Sequence, residues 1–191
     1  MLIIDNYDSF TYNIVQYIKI LGIEPKVIKN DELTLDEIKR IKFSGILLSP
    51  GWGNPDNAGV TMEIIDYYKD KLSILGVCLG MQCIAKYFGA EIKKALEPFH
   101  GKNSNIFFED GFELFDGMKQ GFSATRYHSL MVDKCPYIKA KTADGIPMAL
   151  KIADLPIYGV QFHPEAILTE DGLKIFKNWV AISNSNSPDW E

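Results

Sequence analysis

Ile74-Leu75-Gly76-Val77-Cys78-Leu79-Gly80 compresses a strand, a bend and the start of a helix into one short stretch. A compact apolar run bounded by glycine suits a strand covered on both faces. From Leu79 to Phe88 the apolar residues recur at helical spacing, and Gly89 supplies a stop. Working outward, the same alternation repeats upstream. Ile46-Leu47-Leu48 is a second buried-strand pattern, followed by helical spacing through Val60, Ile64, Tyr67 and Tyr68. Met1 to Ile4 opens a strand, and Phe10, Ile14, Tyr17, Ile18 and Leu21 trace a helix ended by Gly22. Lys26 to Ile28 is extended, and Thr34 with Glu37 three residues on forms a capping-box pattern for a helix carrying Leu35, Ile38 and Ile41. Four strand–helix units in order predict an α/β fold, an open, mostly parallel sheet with helices on both faces.

Beyond about residue 90 the helical periodicity fades. Extended segments at Asn105 to Phe108, Ile138 to Thr142 and Met148 to Ile152 are separated by Gly and Asp turns, which predicts a smaller antiparallel sheet attached to the main one. Helical spacing returns at Leu173, Phe176 and Val180, with Thr169 as the expected cap. The polar stretch 183–191, SNSNSPDWE, is expected to be a flexible tail. The length of 191 residues fits one domain spanning 1–191.

Composition narrows the class of function. A hydrophobic fraction of 47% with 24% charged residues is that of an ordinary globular core. A net charge of -5 with lysines scattered among acids lacks the basic stripe of a nucleic-acid surface. No run approaches the roughly 20 apolar residues of a membrane-spanning helix, and no secretory signal pattern opens the chain. The three cysteines, Cys78, Cys83 and Cys135, are odd in number and lack metal-ligand spacing. Reduced thiols in a cytoplasmic protein, with no metal, are the expectation.

The chemistry centres on Cys78. In Gly76-Val77-Cys78-Leu79-Gly80 the glycines clear space for a sharply bent corner that projects the central nucleophile. The position also falls at a helix amino terminus, where the macrodipole favours thiolate. A small buried cysteine ending a strand is the structural alternative for Cys78, and the expected reading of Cys83 within the helix. A cysteine nucleophile needs a base and a group to orient it. His163 and Glu165 flank Pro164 in Gly159-Val160-Gln161-Phe162-His163-Pro164-Glu165, and in extended chain they would project to one side. His100 sits in a turn-like setting without a useful carboxylate. His128 is the rival base, with a structural role in a polar loop as its alternative. Ser49-Pro50-Gly51-Trp52-Gly53-Asn54-Pro55 follows the Ile46–Leu48 strand and forms a tight loop at the sheet edge where ligands bind.

Together these elements resemble the class I, or triad, glutamine amidotransferases. Asp5-Asn6-Tyr7-Asp8-Ser9-Phe10-Thr11-Tyr12-Asn13, Gly76 to Gln82, His100-Gly101-Lys102, Arg126-Tyr127-His128-Ser129-Leu130 and Gly159 to Glu165 follow the family's order over nearly the whole chain. Within the family the opening resembles anthranilate synthase component II and the amidotransferase subunit of aminodeoxychorismate synthase. The resemblance implies Cys78 as nucleophile, His163 as general acid/base and Glu165 as its orienting partner. It implies an oxyanion hole from the amides of Gly51 and Leu79. It also implies a glutamine site from Gly51, Trp52, Gly53, Gln82, Ser129 and Leu130, with no cofactor. It further implies a chorismate-binding synthase partner (component I) that receives the ammonia in a heteromeric complex. Trp52 stands where the family usually has proline, which leaves the expected oxyanion hole intact but changes the pocket rim. Anthranilate formation for tryptophan is the first expectation; the nearest rival serves aminodeoxychorismate formation for folate, or both pathways, and the others are a glutamyl-peptide cysteine hydrolase and a regulatory protein without enzymatic activity.

Overall fold

The computed structural model describes residues 1–186 of the 191. Nine strands form one sheet in the order β2-β1-β3-β4-β9-β8-β7-β5-β6. The strands are β1 (Leu2–Asn6), β2 (Lys26–Lys29), β3 (Gly45–Gly51), β4 (Ser73–Val77), β5 (Glu91–Phe108), β6 (Phe122–Asp133), β7 (Ile138–Thr142), β8 (Pro147–Lys151) and β9 (Ile157–Val160). The helices are α1 (Thr11–Ile20), α2 (Leu35–Ile38), α3 (Thr61–Tyr68), α4 (Leu79–Tyr87) and α5 (Gly172–Ser185).

Strands β2, β1, β3, β4 and β9 pair in parallel. The remaining ladders are antiparallel. The expected antiparallel part is attached to the parallel part through the β9–β8 ladder, and the two form one continuous sheet. Strand alternation splits the core cleanly. Ile4, Ile46, Leu48 and Ile74 face a cluster with Ile38 of α2, Ile64 of α3 and Ile84 of α4. Ile3, Leu47, Leu75 and Val77 face the other way, onto Ile14 of α1 and Ile175, Phe176 and Trp179 of α5. Burial of both faces is why these strands read as continuous apolar runs.

The capping box at Thr34 is present, with Thr34 accepting from the Glu37 amide and Glu37 accepting from the Thr34 amide. Thr169 does not cap α5; Asp171 holds that position in left-handed conformation. Ser183 to Ser185, expected within the tail, instead belong to α5, and Ser183 is buried. Positions 187–191 of that tail lie outside the described residues. The segment ending at Phe108 is the end of an 18-residue strand. Its hairpin partner β6 carries Arg126 to Leu130, so that motif lies on a strand and not in a loop. His100 likewise sits in β5, at a break in ladder register next to Gly101, whose φ is +69°.

Candidate active site

The sheet order places β1 and β3 at a switch point, since the chain leaves β1 toward β2 on one side and toward β3 on the other. Ligand crevices form outside the carboxyl ends of strands at such points. A cavity of about 380 Å³ opens there, bordered by Phe10 after β1, by Gly51 at the end of β3 with Trp52 and Gly53 beyond it, and by Cys78 after β4. Its volume is in the range of small-molecule sites.

Cys78 follows β4 and caps α4 with φ +53° and ψ −103°, a strained conformation for a residue with a side chain. Two close approaches hold it there. A Cβ on Gly76 would overlap the Gly80 backbone, and a Cβ on Gly80 would overlap the Leu48 carbonyl of β3. The Cys78 amide donates to the Val160 carbonyl at 2.8 Å, which ties the corner to β9. The first amides of α4 have no intrahelical acceptor and point toward the cavity end of the helix. Leu79, first residue of that helix, lines the cavity together with Gly51, Trp52, Gly53, Gln82, Ser129 and Leu130. All the residues expected to bind glutamine or its oxyanion thus border one space. Trp52 does so from the rim, 79% exposed.

His163 lines the same cavity, and its Nδ1 lies 2.6 Å from Glu165 Oε1. The pair meets for a reason other than the expected strand alternation. Strand β9 ends at Val160, and a turn from His163 to Ala166, closed by the Ala166 amide donating to the His163 carbonyl at 3.2 Å, folds Glu165 back. Thr169 clamps this turn by donating to the His163 carbonyl at 2.6 Å while accepting from the Thr125 amide at 3.0 Å. The rings of Phe10 and Tyr127 stand edge-on to the imidazole at 5.6 and 5.3 Å. Burial works against charge on His163, but the Glu165 carboxylate, through its charge and its hydrogen bond, together with the nearby Cys78 outweighs it and raises the imidazole well above its ordinary range. Nε2 is buried and has no hydrogen-bond partner among the described residues, so Cys78 acts on it through proximity rather than a formed bond.

His128 also borders the cavity, in the opposite electrostatic state. Its Nδ1 is 2.8 Å from the Leu130 carbonyl, and its Nε2 accepts from Arg126 Nε at 3.0 Å. Burial and the Arg126 charge push it down to about 4. The ring is neutral near pH 7 and both nitrogens are occupied. His128 is satisfied structurally, by strand neighbours rather than loop backbone. Cys83 is buried in α4 and pushed up to about 12 by burial. Gln161, which no sequence pattern marks as functional, is fully buried with its amide nitrogen 3.6 Å from Cys78 Sγ. Its one local signal is its place two residues before His163. Among the described residues no group of three or more His, Cys, Asp and Glu side chains is arranged to hold a metal ion.

This arrangement equips the cavity for acyl transfer: a thiol at a helix amino terminus, a carboxylate-paired imidazole and the first turn of α4 on one small space. Residues 2–182 match the family model for glutamine amidotransferase class-I. Aminodeoxychorismate/anthranilate synthase component 2 of Bacillus subtilis is 46% identical over 185 residues, covering 94% of this chain and 95% of that protein. Anthranilate synthase component 2 of Cyanophora paradoxa is 46% identical over 190 residues, covering 96% and 100%. Among solved structures, a putative GMP synthase component from Thermoplasma acidophilum superposes with a TM-score of 0.85 at 28% identity, covering 96% and 93%. With a family match that runs from β1 into α5 and takes in every wall of the cavity, the chain belongs to the class-I glutamine amidotransferases.

Proposed function

We propose that this chain, acting as one domain, hydrolyses glutamine and delivers ammonia to a chorismate-using synthase partner for anthranilate formation. The observation that carries the reading is the strained Cys78 corner sharing a cavity with the His163–Glu165 pair. The Cys78 thiolate attacks the side-chain amide carbon of glutamine. Negative charge then develops on the amide oxygen, which the amides of Gly51 and Leu79 receive; losing one such donor typically costs about 10²–10³ in rate. His163 passes a proton to the departing nitrogen, and ammonia leaves a glutamyl thioester. Water activated by the same imidazole attacks that thioester, the C–S bond breaks, and glutamate departs with the thiolate restored. Glu165 holds the ring through Nδ1 and stabilises its charged form. Gln82, Ser129 and Leu130 hold the amino-acid end of the substrate.

Ammonia released to water at neutral pH becomes ammonium, which is not a nucleophile, so the reading requires a partner docked over the cavity. Exposed apolar side chains suit such docking. Trp52 stands on the cavity rim, and Ile167 and Leu168 border an adjoining groove that shares Phe10 and Tyr127 with the cavity. Ile167 and Leu168 follow the Glu165 turn directly, so a partner seated on them touches the segment that orients His163. The three cysteines are all free, which suits a reducing cytoplasm. Among the described residues no helix is long and apolar enough to cross a membrane. A second reading keeps the chemistry and changes the product to aminodeoxychorismate, alone or shared, and the double name of the Bacillus subtilis relative favours keeping it.

The test pairs the chain with its synthase partner and chorismate and supplies either glutamine or an ammonium salt. Cys78→Ala is expected to abolish synthesis from glutamine and spare synthesis from ammonia. Full glutamine-dependent synthesis by that variant would overturn the reading. The product formed, aromatic anthranilate or non-aromatic aminodeoxychorismate, identifies the pathway.

A further inference from the structure

A continuous chain of hydrogen bonds runs from the buried edge of β6 to the sulfur of Cys78, and its direction is fixed at every joint. Arg126 is buried, and a guanidinium donates only. Its Nε lies 3.0 Å from His128 Nε2, so that nitrogen is the acceptor of the ring. In the neutral ring the proton therefore sits on Nδ1 and is donated to the Leu130 carbonyl at 2.8 Å. That carbonyl accepts only, and the Gln82 side chain meets it at 3.2 Å, so the amide nitrogen of Gln82 faces it. The second proton of the same nitrogen goes to Gln161 Oε1 at 3.0 Å. The one orientation left to Gln161 turns its own amide nitrogen onto Cys78 Sγ, at 3.6 Å. Flipping either glutamine would set nitrogen against nitrogen or oxygen against an acceptor, so the network itself decides both amides.

We propose that Gln161 is a catalytic hydrogen-bond donor to the Cys78 sulfur, and that Arg126, His128 and Gln82 are positioning residues that aim it. The inference rests on the glutaminase reading above. A donor on Sγ stabilises the thiolate that attacks, and again when the C–S bond of the thioester breaks and its electron pair returns to sulfur. It complements the amino terminus of α4, which acts on the same atom. The Tyr127 carbonyl, 3.8 Å from Sγ on another side, accepts from the thiol form, so the sulfur lies between one group favouring each state.

The test uses the full chain and follows iodoacetamide alkylation of the Cys78 peptide by mass spectrometry from neutral to alkaline pH, beside glutamine hydrolysis. Asp8, His100, Tyr127, His128 and His163 border the same cavity and are left in place. Gln161→Leu keeps the bulk and removes the donor. Its alkylation and hydrolysis near neutral pH are expected to fall about tenfold and its alkylation to recover at alkaline pH. An unchanged alkylation profile would overturn the proposal. Should the variant not fold, the wild-type side-chain amide signals decide by NMR. The Gln161 protons are expected to move with the pH dependence of alkylation, and a Gln161 signal indifferent to it would equally overturn the idea. Cys78→Ala separates the two claims. Persistent hydrolysis there sinks the glutaminase reading, whereas lost hydrolysis with an unmoved Gln161→Leu profile sinks the donor alone.

Discussion

His128 and His163 stand on two walls of one cavity, both buried, and the molecule shifts their proton affinities in opposite directions. Each has its decisive neighbour two residues away: Arg126 before His128 on β6, Glu165 after His163 in the turn beyond β9. Burial acts against charge on both rings. Where the neighbour is a cation, burial and charge act together, and the ring is held neutral and fully bonded. Where the neighbour is a carboxylate, its charge prevails, and the ring keeps one nitrogen free. Burial alone therefore does not distinguish a structural histidine from a chemical one; the sign of the close partner does.

The largest effect that sharpens this contrast is loss of the free nitrogen. His163→Ala is expected to lower glutamine hydrolysis by about 10⁴-fold, the upper end for positioned acid–base groups, measured as glutamate release. Glu165→Gln keeps a group able to hold the ring but removes its charge, and is expected to cost about 10²-fold in the same assay. His128→Phe removes no proton-transfer group. It does break the chain that aims Gln161, so hydrolysis is expected to fall by no more than about tenfold, beside a loss of stability of about 1–3 kcal/mol in urea unfolding, because Arg126 and the Leu130 carbonyl lose their partner. A loss of hydrolysis in His128→Phe as deep as in His163→Ala would break the comparison.

The two rings also predict opposite pH slopes. The His128 value lies below that of the unfolded chain, so its contribution is intact above about pH 6.5 and fades as pH falls toward about 4, where the unfolded state takes a proton the folded state refuses. His163 lies above its ordinary value, so its contribution is full below about pH 6.5 and is lost as pH rises through the folded value. Unfolding series on wild type, His128→Phe and Glu165→Gln check both signs. The first substitution flattens the acid side and the second the alkaline side. The smallest effect concerns the rim. Ile167→Asp is expected to weaken synthase binding by about 1–2 kcal/mol, read as a change in dissociation constant for the partner.

The parallel half of the sheet was legible because its strands are buried on both faces and its helices carry regular apolar stripes, as in Ile74 to Phe88. The residues bordering the cavity were legible where a turn imposes composition, as at Gly76–Gly80 and Gly51–Gly53. The β5–β6 hairpin is legible only at the last residues of β5. Much of that strand is exposed, and its ladder slips register between Lys94 and Phe99 and again beside Gly101, so no clean period of two survives. The fold of the His163 turn, the clamp by Thr169 and the place of Gln161 come from contacts between distant segments, which no local spacing encodes. Trp52 stands out in the sequence for its departure from the family's proline, and its exposure at the rim emerges only from the packing.

The account stands on a covalent glutamyl intermediate at Cys78, and acid-quenched mass spectrometry of the chain turning over glutamine tests it most directly. A glutamyl adduct on the Cys78 peptide, accumulating further in Glu165→Gln and absent from Cys78→Ala, is the predicted result. Glutamate release by Cys78→Ala at the wild-type rate, with no adduct on any Cys78 peptide, would contradict it.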